Sequence, residues 1–292
     1  MTRLILTLFI ASTTLLTAQQ PPAGLDTAAI AQALGRQGQV QGSVYRVGFP
    51  RTDLSVSVHG IAIKPGLALG SWAAFMRAGS QAVIHGDLVL TEAEINPVIS
   101  KLQDGGLQIT ALHNHLIEET PHVMYLHYWG QGAEAALART LRSALETTKT
   151  PLAAPAAAPA TAAAPGFDVD TIQKTLGKTG TVTGGVLGLS WPRPEKITMM
   201  GIDLPPQMGM ATSINFQAAG NGKVAATGDF VMIDTEVNPV AKALRSHGIA
   251  IAALHNHMLH GTPTLYFMHF WAEDSAANVA AGLKAAVDLL AK

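Results

Sequence analysis

Ala111-Leu112-His113-Asn114-His115 and Ala253-Leu254-His255-Asn256-His257 are the same five residues, repeated 142 positions apart. Self-similarity at a fixed offset is the first thing to look for in a chain, because it sets the architecture before any element is assigned. Reading outward, Gly86-Asp87-Leu88-Val89 recurs as Gly228-Asp229-Phe230-Val231, and Asn96-Pro97-Val98 as Asn238-Pro239-Val240. Thr120-Pro121 recurs as Thr262-Pro263, and His127-Tyr128-Trp129 as His269-Phe270-Trp271. Asp26, Gly35, Gly38 and Val40 already map onto Asp168, Gly177, Gly180 and Val182, while Gly60, Pro65 and Phe75 face Gly201, Pro206 and Phe216 after a one-residue slip. Each copy is the size of a domain, not of a solenoid repeat. The expected organisation is repeat domain 1 over 24–146, an Ala/Pro-rich linker over 147–166 and repeat domain 2 over 167–292. The linker composition predicts an extended tether that constrains the two domains only weakly.

Within one copy, Leu25–Leu34 carries apolar residues at helical spacing, with Asp26 or Thr27 as N-cap and Gly35 as the stop. Gln39–Phe49, Leu54–Ile63, Ser71–Arg77 and Ala82–Leu90 are rich in β-formers and punctuated by Gly and Pro, so they predict strands. Thr91–Gln103 and Ala133–Leu145 predict helices, and Leu107–Leu116 with Val123–Trp129 predicts a hairpin around Thr120-Pro121. The fold class is therefore α+β: two homologous domains, each a mostly antiparallel sheet with flanking helices.

The 292 residues are 48% hydrophobic and 13% charged, with a net charge of -1 and no cysteine. That apolar fraction excludes whole-chain disorder. The balanced charge offers no phosphate-neutralising surface, so no nucleic acid is expected as a partner. Thiol chemistry, disulfides and lipidated cysteine are excluded outright. Met1–Gln20, with Arg3 before an apolar run to about Leu16 and small residues near Ala18, has the pattern of a signal peptide. The run is shorter than the ~20 residues that span a bilayer, so a periplasmic or secreted protein is expected, with no transmembrane segment after the signal peptide.

His113 and His115 are two apart on a predicted strand and share a face, about 6.5–7 Å apart. If the turn centres on Thr120, His113 faces His127, and by the same arithmetic His255 faces His269. Even separations keep all three imidazoles of a copy on one side of the sheet, which is a metal-site pattern. The fourth candidate ligand is Glu94, matched by Glu236. Thr91-Glu92-Ala93-Glu94 also fits a capping box that would occupy Glu94. Asn96-Pro97, read instead as an N-cap with proline at the first helical position, would free it. Asp87 and Asp229 are competing carboxylates, although a Gly-Asp pair at the start of a strand is ordinarily a turn. His59, His85 and His122 have no counterpart in the second copy, where Met200, Thr227 and Thr264 stand, and each by itself reads as a surface residue.

The combination of Asn-Pro-Val, Leu-His-Asn-His, a Thr-Pro turn, His-Tyr/Phe-Trp and an Ala/Leu-rich helix resembles the domain family of unknown function 1259, the LppY/LpqO family, in two tandem copies. The resemblance implies an extracytoplasmic protein and brings no established activity. Two readings follow. In one, Glu94, His113, His115 and His127, together with Glu236, His255, His257 and His269, hold a divalent metal, for which zinc, manganese, iron and nickel are equally suited, in a protein that is hydrolytic, oxidative or purely metal-binding. In the other, the chain is a non-catalytic envelope module binding a small molecule, peptide or glycan, with Tyr125, Trp129, Phe267 and Trp271 as stacking platforms. Serine-hydrolase, dinucleotide-binding and phosphate-loop signatures are absent.

Overall fold

The computed structural model of the chain describes residues 24–153 and 164–291. The expected signal peptide and the middle of the linker lie outside the described residues. The first repeat begins with α1 (Thr27–Leu34), whose Ala29 N–H donates to the Asp26 side chain and whose end is set by Gly35 in the left-handed region. The strand expected over Gln39–Phe49 is a tight hairpin of β1 (Gln39–Gln41) and β2 (Val44–Pro50). The stretch Leu54–Ile63 contains β3 (Ser57–Val58) and β4 (Ile61–Ala62), followed by the short α2 (Pro65–Ala68). Then come β5 (Gly70–Ala78), β6 (Gln81–Thr91), α3 (Glu92–Asp104), β7 (Gln108–His113), β8 (Glu119–Thr120), β9 (Val123–Gly132) and α4 (Glu134–Leu145).

The second repeat runs in the same order: α5 (Val169–Leu176), β10 (Thr181–Thr183), β11 (Val186–Pro192), β12 (Thr198–Met199) and β13 (Ile202–Asp203). A 3-10 turn at Pro206–Met208 stands where α2 stood. After it come β14 (Ala211–Gly220), β15 (Lys223–Met232), α6 (Asp234–Ser246), β16 (Ala250–His255), β17 (Gly261–Thr262), β18 (Tyr266–Ser275) and α7 (Ala276–Val287). Each repeat makes a six-stranded antiparallel sheet, in the orders β1-β2-β5-β6-β9-β7 and β10-β11-β14-β15-β18-β16. Among the described residues no helix is long and apolar enough to cross a membrane.

Alternation along the central strands shows what covers each face. On β6, Ala82, Ile84, Leu88 and Leu90 join Leu34 of α1, Val98 and Leu102 of α3 and Leu141 of α4 in the first domain's core. The intervening Val83 and Val89 are equally buried, but in clusters that mix residues of both repeats. One such cluster joins Val44, Val83 and Trp129 to Met199, Val231, Met258 and Phe267. The other joins their counterparts: Val58, Val89, Leu116 and Tyr125 to Val186, Ala225 and Trp271. The two sheets therefore pack face to face about a pseudo-twofold axis, with the long helices on the outside and the short α2 against the other repeat's sheet, and a strand buried on both sides loses its polar alternation. Side-chain amides reinforce the contact, since Gln217 accepts from Lys64 N at 2.9 Å and donates to Ala62 O at 2.8 Å.

Packing of the sheets, rather than the linker, fixes the relation of the two repeats. The linker's first residues are also docked. Lys149 N donates to Glu94 at 2.9 Å, Pro151 O accepts from Arg36 at 3.1 Å and Leu152 packs on the first core.

Candidate functional site: a histidine cluster between the repeats

Between the two apolar clusters, the facing sheets present His113, His115 and His127 to His255, His257 and His269. Ring centroids are 3.5 Å apart for His113–His255, and 3.7 Å for both His115–His269 and His127–His257. The pairing is that of a twofold axis passing between His113 and His255. Within a copy the strand register differs from the expectation: β7 pairs with β9 so that Ala111 faces His127 and His113 faces Tyr125. The second copy does the same, with Ala253 opposite His269 and His255 opposite Phe267. The turn is centred on Glu119 rather than Thr120, and on Gly261 in the second copy, which moves the register by two places. A shift of two preserves the face, so the three histidines of each copy still converge, although β7 ends at His113 and His115 lies just beyond it.

Local hydrogen bonds settle the tautomers. Nδ1 of His127 lies 3.1 Å from Gly86 O and that of His269 lies 3.1 Å from Gly228 O. His113 and His255 make the same contact to Asn114 O at 3.3 Å and Asn256 O at 3.4 Å. A carbonyl only accepts, so each of these Nδ1 atoms carries the proton and Nε2 keeps a lone pair. The Nε2 atoms of all six histidines are buried and have no hydrogen-bond partner. Three groups have their ligand nitrogens within 4.8 Å of one another: His113 with His115 and His127; His113 with His255, His257 and His269; and His85 with His127 and His257.

The carboxylates that reach this cluster are Asp87 and Asp229, and the Gly-Asp pair lies in mid-strand rather than in a turn. A Cβ on Gly86 would come within 2.4 Å of Trp72 O, and one on Gly228 within 2.0 Å of Ser213 O. Glycine is what lets the neighbouring strand close over this position while its carbonyl holds a histidine. Asp87 Oδ2 lies 3.5 Å from His115 Nε2 and 3.9 Å from His127 Nε2. Asp229 Oδ1 lies 2.9 Å from His269 Nδ1 but out of line, because that nitrogen already donates to Gly228 O.

Glu94 and Glu236 are corrected as ligands. Glu94 receives Arg51 Nη1 at 2.8 Å, Arg51 Nη2 at 3.1 Å and the Thr91 N–H at 2.9 Å. Glu236 receives Arg193 Nη1 at 2.6 Å and the Ile233 N–H at 2.9 Å. The helix begins at Glu92, not at Pro97, so the carboxylate closes the backbone half of the capping interaction. Burial works against the Glu94 charge, and the hydrogen bonds from Arg51, Lys149 N and Thr91 N outweigh it, holding the carboxyl below its usual range. Because Arg51 is fully buried, a Glu94→Gln variant leaves its charge with Asp53 alone and is expected to lose about 3 kcal/mol of stability. Chemical denaturation checks that loss, and metal content should be the same as in the parent.

Burial, reinforced by neighbouring imidazoles, pushes His113, His115, His127 and His257 well below the usual histidine range, and brings His255 to about 4. Burial and the nearby Asp229 raise the Asp87 carboxyl well above its ordinary value, against a partial offset from Arg46. Tyr125 stacks on His115 at 3.5 Å and Phe267 on His257 at 3.4 Å, so these aromatics hold imidazoles in place. His85, expected at the surface, is fully buried beside His127, with its Nδ1 on Tyr128 O at 3.1 Å. Its alternation with Asp87 on β6 is the signal that places it on the histidine face. His59 and His122 instead pair with Glu118 and Glu119.

A cleft of about 380 Å³ opens onto Asp87, Asp229, His115, His127 and His257. It lies between the sheets, with Arg46 and Trp72 on one side and Ser213, Asn215 and Thr227 on the other.

Fold and site together define a tandem-repeat α+β protein whose copies face each other across a shared histidine cluster. The chain belongs to the family described as Domain of Unknown Function (DUF1259), whose model matches residues 28–147 and 170–289, one copy per sheet. No curated protein matches the chain. Among solved structures it is similar to the trimeric bacterial microcompartment shell protein PduB, at 12% identity over 84% of this chain and 86% of that one, with a TM-score of 0.22. It is also similar to EtuB from Clostridium kluyveri, at 8% identity over 80% of this chain and 93% of that one, with a TM-score of 0.21. Scores that low do not equate the folds.

Proposed function

We propose that this protein binds a divalent transition metal between its two repeats. The observation that carries the reading is the set of six buried, unpartnered Nε2 atoms, four of which have the opposite ring nitrogen fixed by a backbone carbonyl. An unpaired buried polar atom costs about 1–3 kcal/mol, a cost that a cation removes for each imidazole that ligates it. The best-formed donor set is Asp87, His115 and His127 with His113 beside them. Two imidazoles and a carboxylate suit iron, zinc and manganese. Repeat 2 mirrors the imidazoles, but its Asp229 lies by Nδ1 of His269 rather than by a free Nε2. A metal there, open to the cleft, would supply Lewis-acid chemistry to a bound water or ligand. The Met1–Gln20 pattern supports an extracytoplasmic location for this activity.

Elemental analysis of untagged protein is expected to find bound metal in the parent and none in a His127→Ala/His269→Ala variant. At about a hundredfold excess over Kd, metal adds about 2.7 kcal/mol, which raises the Tm of a protein of this size by about 5–10 °C. A parent that carries no metal and shows no thermal shift with zinc, manganese or iron would refute the reading.

A further inference from the structure

The cleft is not symmetric, and its asymmetry is chemical. On β2 Arg46 lines it, where the second copy has Gly188; on β5 Trp72 lines it, where the second copy has Ser213. The Arg46 guanidinium lies 3.7 Å over the Trp72 ring, and its Nη1 donates to Gln207 O at 3.0 Å. These two contacts fix the plane of the group from both repeats at once, since Gln207 belongs to the second. Arg51 has Glu94 and Asp53, Arg193 has Glu236 and Glu195, and the buried Arg36 has Pro151 O. Arg46 has no carboxylate in ion-pair range among the described residues, and its Nε and Nη2 have no acceptor there. Burial pulls its pKa down to about 10, with Asp87 acting in the opposite sense, so it keeps its charge at neutral pH. Across the cleft, Thr227 Oγ1 is buried and unpartnered, and so is Asp87 Oδ1. A half-buried guanidinium held flat, with Nε and Nη2 unused, is an anion receptor.

Charge decides the class of ligand. The imidazoles are neutral, the two aspartates cancel one divalent ion, and Arg46 leaves the cleft with one positive charge in excess. The volume is at the lower end of the roughly 300–1,000 Å³ of small-molecule sites. We propose that this cleft binds a small monocarboxylate, its carboxylate on the free edge of Arg46 and the rest of the molecule directed toward the donor set of Asp87, His115 and His127. The inference rests on the metal reading, because without a cation the aspartates would repel an anion.

The test uses zinc-loaded full-length parent, Arg46→Ala and Arg46→Lys, with metal content measured alongside calorimetric titration by lactate and by inorganic phosphate at fixed ionic strength. The expected result is equal metal in all three, lactate binding weakened about tenfold or more in Arg46→Ala, and partial recovery in Arg46→Lys, which keeps the charge without the fork. Equal lactate affinity in the parent and Arg46→Ala, with metal present, overturns the carboxylate site and leaves the metal reading intact. Phosphate bound more tightly than lactate overturns the choice of a monocarboxylate. A parent that takes up no zinc overturns the metal reading itself, and the charge argument with it.

Discussion

Stripped of metal by a chelator, the protein loses stability steeply as the pH falls below about 6.5. His113, His115, His127, His255 and His257 all have folded-state values depressed by burial and, in each case, by neighbouring imidazoles as well. The unfolded chain takes up their protons near the unperturbed value of about 6.5, while the folded chain refuses them down to about 4 at His255 and lower at His113, with the others also well below the usual range. The stabilising contribution is therefore complete above about 6.5 and is lost as the pH falls from there toward the folded values. Each such group contributes a slope of up to about 1.4 kcal/mol per pH unit. Asp87 works in the opposite sense, its raised carboxyl favouring the folded state as protons are added, but it is one group against several. Between pH 6.5 and 5.5 the loss amounts to about 5 kcal/mol, comparable with the whole stability of many proteins. Urea midpoints at pH 7.5, 6.5 and 5.5 measure it, and a flat profile would show that the imidazoles are solvated rather than packed between sheets. Added metal should move the loss to lower pH, because protons must then compete with it.

Phe267→Ala is expected to remove about 3–5 kcal/mol and to change how the chain unfolds. The ring is fully buried in the inter-repeat cluster and stacks on His257 at 3.4 Å. The parent should melt in a single calorimetric transition despite containing two homologous domains, because each sheet's second face is covered in part by the other repeat. The variant should show two transitions, with weakened metal uptake. A parent that already melts in two independent steps would mean that the facing sheets contribute little to stability.

Much of this architecture is legible in the residues. The offset repeat places two domains, and Asp26 with Gly35 bounds α1 correctly because capping and left-handed termination are local chemistry. The shared face of His113, His115 and His127 survives a wrong register because parity alone controls it. The parts that are not legible depend on contacts across long sequence separations. Glu94 satisfies both a cap and a ligand pattern, and the residue that resolves the choice is Arg51, on a loop 43 positions earlier. The docking of the sheets is obscured by the Ala/Pro tether, yet β6 carries the clue: Ala82 to Leu90 is buried throughout, the pattern of a strand covered on both sides. His85 and Asp87 then read as polar residues that a two-sided core would not accept without a purpose.

The proposed metal position draws its ligands from the histidine face between the repeats. Anomalous diffraction at the absorption edge, from crystals of the full chain grown with zinc or cobalt, tests it most directly. A strong peak is expected within about 2.0–2.2 Å of Nε2 atoms that include His115 and His127 and of an Asp87 oxygen. Anomalous density confined to surface histidines such as His59 or His122, with the inter-repeat imidazoles unligated, would contradict it.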